Sequence, residues 1–185
     1  MQDNKKAFTL IELLTIISIV VLMTITIFAN YGKNNYTFAL ERSGQKLVQD
    51  LRRTQGMAMS GFEENSTGGN AYGIYFDKSS ANKGKYIIYL NKNADMSYEG
   101  ESTDLTKETI NLENGIEIYD IISTTGSVDS HPTYISVAFE PPRPLTYVNN
   151  NYSGYEATII LRITSSPTET RTIKINNVGR IELTK

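Results

Sequence analysis

The residues 8–29 form an apolar run of 22 that carries one charge, Glu12. As a helix at ~1.5 Å per residue such a run reaches roughly 33 Å, enough to cross the hydrocarbon core of a bilayer. The run therefore reads as a transmembrane helix, and its single carboxylate needs a reason. Inside a membrane span a carboxylate costs on the order of 2.5–3.5 kcal/mol at mid-helix and less near the end. Two readings follow from the physics alone: Glu12 has a partner, or it snorkels to the headgroup region. A secretory signal peptide has a shorter apolar core and a small-residue cleavage site. Ile27-Phe28-Ala29-Asn30-Tyr31 offers no such site. A plain membrane anchor accounts for the length and leaves Glu12 unexplained.

Past the span, Leu40, Gly44, Leu47, Val48, Leu51, Gln55 and Ala58 recur at three- and four-residue spacing, while Glu41, Arg42, Lys46, Gln49, Asp50 and Arg53 fall largely on other faces. This is the stripe of an amphipathic helix laid against a sheet, expected over about 36–60. Asn30-Tyr31-Gly32-Lys33-Asn34-Asn35 is the expected place for a bend or break. Residues 63–70 read as a polar loop. The pattern then switches to alternation, with strands expected over 71–77, 85–91, 109–112, 116–120, 134–140, 156–163, 170–175 and 180–184. Asn176-Asn177-Val178-Gly179 supplies the last turn, since Asn and Gly tolerate positive φ. One long helix followed only by strands predicts an α+β fold, the helix packed on a mostly antiparallel sheet in one β-rich head.

The chain has no cysteine, so neither a disulfide framework nor a thiolate metal site can form. Its formal net charge of −2 gives no electrostatic footprint for nucleic acid. No nucleophile motif, phosphate-binding loop or histidine metal cluster is readable. His131, the one histidine, stands beside Pro132 in a loop and reads as solvated. Asp95, Glu99, Glu101, Asp104 and Glu108 lack the spacing of a calcium loop and read as a solvated acidic loop. No metal and no cofactor are expected, and the chain is not expected to be an enzyme.

Lys5-Lys6-Ala7 followed by Phe8-Thr9-Leu10-Ile11-Glu12-Leu13-Leu14 resembles the N-terminus of the type IV prepilins and pseudopilins. The resemblance implies a leader, residues 1–7, cut by a prepilin peptidase between Ala7 and Phe8. It implies N-methylation of Phe8 and a transmembrane assembly helix, 8–30, followed by a head, 31–185, outside the cytoplasm. It further implies that Glu12 meets the N-terminal amine of a neighbouring subunit as a filament is built. The family usually has glycine before the cut where this chain has Ala7. Loss of residues 1–7 removes Asp3, Lys5 and Lys6 and takes the net charge to −3.

Within the family, residues 47–59, the first-strand stretch Tyr72-Gly73-Ile74-Tyr75-Phe76 and the closing residues 172–183 with their Gly179-Arg180 pair are similar to the GspH/FimT-type minor pseudopilins. The implied partners are other pilin or pseudopilin subunits, the prepilin peptidase, an inner-membrane assembly platform and the lipid bilayer. The implied place is the cytoplasmic membrane, single-pass, and then a type IV pilus, a DNA-uptake or a type II secretion pseudopilus. The alternative is a filament-tip binding module that captures DNA or a surface ligand. Arg171, Lys174, Arg180 and Lys185 are its candidate DNA contacts. They lie beside Glu169 and Glu182, so a solvated strand face is favoured and nucleic acid is not expected among the partners.

Overall fold

The computed structural model of the chain describes residues 8–60, 71–92, 95–141 and 145–184, without the side chains of 29–34. Helix α1 spans Leu10–Met59 and includes the 30–35 stretch where a break was expected. Two compact units divide at its middle, one ending at Tyr36 and the other covering Thr37–Lys185. In the first unit every described side chain from Phe8 to Phe28 is exposed. The apolar window Leu10–Phe28 has a mean hydropathy of 2.6 and is long and apolar enough to cross a membrane.

The second unit begins with the amphipathic part of α1, which ends where Ser60 Oγ donates to the Met57 carbonyl at 2.9 Å. Ten strands follow: β1 Tyr72–Asp77, β2 Lys85–Leu90, β3 Leu105–Asn111, β4 Ile116–Thr125, β5 Val128–Ser130, β6 Tyr134–Glu140, β7 Leu145–Val148, β8 Tyr155–Ile163, β9 Ser166–Asn176 and β10 Ile181–Thr184. They form two antiparallel sheets where sequence reading had expected one. The first runs β3-β2-β1-β6-β7 and the second β10-β9-β8-β4-β5. The polypeptide changes sheet between β3 and β4, returns between β5 and β6, and changes again between β7 and β8.

The core lies between the sheets and the helix stripe. Leu40, Leu47, Leu51 and Ala58 of α1 pack with Ile74 and Phe76, Ile135 and Val137, Ile159 and Leu161, and Ile173 and Ile175. Burying each of these larger side chains contributes roughly 1.5–3 kcal/mol. Gly44 belongs to the stripe because a Cβ there would stand 3.3 Å from Leu183 Cδ1, so the helix lies close on the last two strands. Ion pairs tie the helix rim to both sheets: Arg42 to Glu113 at 2.6 Å, Arg53 to Glu108 at 2.6 Å, and Arg171 to Glu41 at 2.7 Å.

Strands β5 and β7 were not expected. All of β5 is exposed, so it has no alternation to read, and β7 is only four residues long. Strand β9 starts four residues earlier than expected and includes Pro167. β10 pairs only with Thr172–Ile175, which leaves the early part of β9 open on one side, where a missing N–H costs nothing. The 63–70 loop lies outside the described residues.

Candidate functional site

Helix α1 starts on a local signal that the apolar pattern hides. Thr9 Oγ1 accepts the Glu12 N–H at 3.3 Å, and the Thr9 carbonyl accepts the Leu13 N–H at 3.2 Å. Thr9 is thus the N-cap and Glu12 the third helical residue. In a Thr-x-x-Glu capping box the carboxylate at that position can return to the N-cap N–H. Negative charge in a first turn also complements the partial positive charge of the helix N-terminus. Thr9 therefore caps the helix through the Glu12 backbone N–H, the Glu12 charge stands in the first turn, and the Thr9-Leu10-Ile11-Glu12 spacing was the readable signal for the cap. Its side chain is exposed, as is Phe8, which is 75 % exposed and precedes the helix. Ala7 and the rest of the 1–7 segment lie outside the described residues.

Leu10, Ile11, Leu13 and Leu14 surround Glu12 with exposed apolar surface. Ser18 and Thr24 turn their hydroxyls back to the carbonyls of Leu14 and Val20, at 2.9 and 2.7 Å. Their polar atoms are thereby satisfied within the helix, as a hydrocarbon environment requires. Glu12 is the one ionisable side chain of the Leu10–Phe28 window.

In the head, two of the cations read as candidate DNA contacts, Lys174 and Arg180, line one small pocket with Glu156 and Glu182, and Arg171 does not join them. Arg171 shares the inward side of β9 with Ile173 and Ile175 and is matched by Glu41. Lys174 alternates to the opposite face, where Glu156 Oε1 stands 3.9 Å from its ammonium. Arg180 pairs with Glu182, and Lys185 lies outside the described residues. No protein-family model, curated protein or solved structure matches this chain.

One sequence reading of the head needs correction. Asp104 is not solvated: it is 1 % exposed, and its Oδ2 accepts the Glu99 N–H at 2.8 Å. Burial holds its carboxyl above the ordinary range despite that bond. It organises the 95–104 loop from inside. Among the described residues no three His, Cys, Asp or Glu side chains are grouped as a metal site would need.

His131 is exposed but engaged. Its Nδ1 stands 2.7 Å from Asp120 Oδ2, while Lys78 Nζ donates to Asp120 Oδ1 at 2.7 Å. Burial alone would raise the Asp120 carboxyl. The bonds from Lys78, His131 and the Ile121 N–H outweigh it and hold the group below its usual value. The three side chains pin β1, β4 and the turn before β6 to one another.

Proposed function

We propose that this chain is a minor pilin or pseudopilin, a structural subunit that assembles into a filament through its N-terminal helix and has no enzymatic work. The observation that carries the reading is the position of Glu12: the one charge of an exposed apolar helix, in its first turn, directly behind Phe8-Thr9. A lone helix so apolar is stable in lipid, and side by side with copies of itself it offers van der Waals packing along its length. Cleavage before Phe8 places a free amine about four residues from Glu12. The carboxylate of one subunit then meets the amine of the next, which removes the cost of an unpaired charge and fixes the axial register. Lys5 and Lys6, ahead of the span, favour a cytoplasmic N-terminus and an exported head. The GspH/FimT-type branch rests on the resemblance of the 47–59, 72–76 and 172–183 stretches, and the filament is a pilus, an uptake pseudopilus or a secretion pseudopilus.

The test separates the pairing role from the capping role. Glutamine serves at the third position of a capping box as glutamate does, but it carries no charge. Glu12→Gln should abolish incorporation into sheared filament fractions while the subunit accumulates in the membrane with an intact head. Normal incorporation of Glu12→Gln together with failure of Glu12→Ala would leave Glu12 a helix cap and remove the pairing mechanism.

A further inference from the structure

Sheet alternation puts Ile74 and Phe76 of β1 in the core and Gly73 and Tyr75 on the opposite, outward face of the first sheet. Gly73 is directly opposite Tyr89 in the register, and a Cβ at Gly73 would lie 2.5 Å from the Tyr89 ring. Tyr89 therefore lies flat over the glycine, fully buried, with its hydroxyl donating to the Met96 carbonyl at 3.2 Å. It backs Tyr98 of the 95–104 loop, ring centroids 5.1 Å apart. Tyr98 continues to Tyr75 at 4.9 Å, and Tyr75 to Tyr134 at 6.0 Å, with tilts of 45° and 34°. Three tyrosine rings thus tile one outward surface, and Tyr134 at its end is 56 % exposed.

The surface is held in place before any ligand arrives. The Tyr98 N–H donates to Ser136 Oγ at 3.0 Å, and its hydroxyl meets Thr106 Oγ1 at 3.0 Å. Buried Asp104 fixes the Glu99 backbone, and Asn150 Oδ1 accepts the Met96 N–H at 3.2 Å. Asn149 and Asn150 hold φ of 46° and 65°, the left-handed region that side-chain-bearing residues enter at a cost. Asn149 lends Oδ1 to the Ser136 N–H at 2.8 Å.

A cleft of about 590 Å³ opens over these rings, lined also by Ser97, Glu99 and Asn149. A second, of about 250 Å³, shares Tyr75 and Tyr98 and extends the groove past Asp77 and Lys85. Among its described lining residues the larger cleft carries a carboxylate and no cation, which disfavours phosphate-bearing ligands. Its volume is that of a small-molecule site, and a lone quaternary ammonium would leave most of it empty. Burial first, then nearby Asp77, pushes the Tyr75 phenol up to about 12, so it stays an O–H donor at neutral pH. Flat apolar ring faces bordered by hydroxyl and amide groups match a ligand with C–H faces and a rim of hydroxyls.

We propose that the Tyr75–Tyr98–Tyr134 cleft of the head binds a short neutral oligosaccharide, its rings stacked on the tyrosines and its hydroxyls bonded to Ser97, Glu99 and Asn149. The inference does not depend on assembly through Glu12. It is tested on the full chain in a polyoxyethylene detergent, which carries no sugar, by ligand-observed NMR and calorimetry. The probes are triacetylchitotriose, cellotriose and maltotriose, with choline chloride and an oligoadenylate for comparison. At least one trisaccharide is expected to bind saturably, and Tyr134→Ala should weaken it ~10-fold without changing the melting temperature. Tyr119→Ala, at a half-exposed tyrosine of the second sheet, should leave binding unchanged. Absence of saturable binding by all three sugars, tighter binding of choline or oligoadenylate, or indifference to Tyr134→Ala would each overturn the proposal.

Discussion

Asp50 is a carboxylate inside the head, and its surroundings explain why it is tolerated there. The Tyr86 hydroxyl donates to its Oδ2 at 2.6 Å, and the Arg53 guanidinium stands 3.6 Å from Oδ1. Burial, and then the Asp50 bond, push the Tyr86 phenol far up, so it remains a donor. Asp50→Ala strands that buried hydroxyl and should cost about 1–3 kcal/mol of stability by denaturant titration; an unchanged midpoint would show that the pair does not hold the helix to β2. Glu117 is the second such group. It is 3 % exposed and receives Lys83 and Arg162, each at 2.6 Å. Burial would raise its carboxyl, but the two cations outweigh it and hold it below the ordinary value. A folded value below the unfolded one means stabilisation that is present above the ordinary carboxylate range and lost as pH falls through it. Asp104, held high by burial, works in the opposite sense and is relieved by acid. With Asp77, Glu113, Glu117 and Asp120 all depressed, the melting temperature should fall from neutral pH toward about pH 3. Glu117→Gln should flatten that acid limb and cost on the order of 2 kcal/mol at neutral pH, because Lys83 and Arg162 keep some solvent. A limb identical to that of the unaltered chain would assign the acid sensitivity elsewhere.

At the scale of elements, the helix stripe and most strands were legible because burial writes itself into period. Leu40, Leu47 and Leu51 are fully buried where the three- and four-residue spacing put them, and Ile173 and Ile175 where alternation did. The closing turn was legible too: Asn176 Oδ1 accepts the Val178 and Arg180 N–H groups at 3.2 and 2.9 Å, and Gly179 has φ of 80°. The division into two sheets was not. It depends on which strands pair across long sequence gaps, β1 with β6 and β4 with β8, and no local pattern records that. The tyrosine cleft was hidden for the same reason, since Tyr75, Tyr98, Tyr134 and Asn149 come from four separate segments. Gly73 is the sharpest element-level test. Gly73→Ala places a methyl group 2.5 Å from the Tyr89 ring, so Tyr89 must shift and Tyr98 with it. The substitution should destabilise the head by about 1–3 kcal/mol and perturb the near-ultraviolet tyrosine circular dichroism. A variant with unaltered dichroism and melting would show that Tyr89 does not depend on the gap above Gly73.

The whole molecule combines an exposed apolar helix, which has no place in water, with a head that has its own core. Each part satisfies its own requirements: hydroxyls of the helix bond back to its carbonyls, and buried carboxylates of the head are paired or hydrogen-bonded. Glu12 is different, since the cap uses its backbone N–H and leaves the carboxylate exposed in an apolar surround. The sequence made this charge visible from the start. The proposed partner is an amine created by cleavage before Phe8. Intact mass and N-terminal sequencing of the chain recovered from host membranes decide whether that amine exists. A chain that begins at Phe8 and carries one added methyl group is expected; a chain that retains residues 1–7 would overturn the pairing and leave a permanently anchored head.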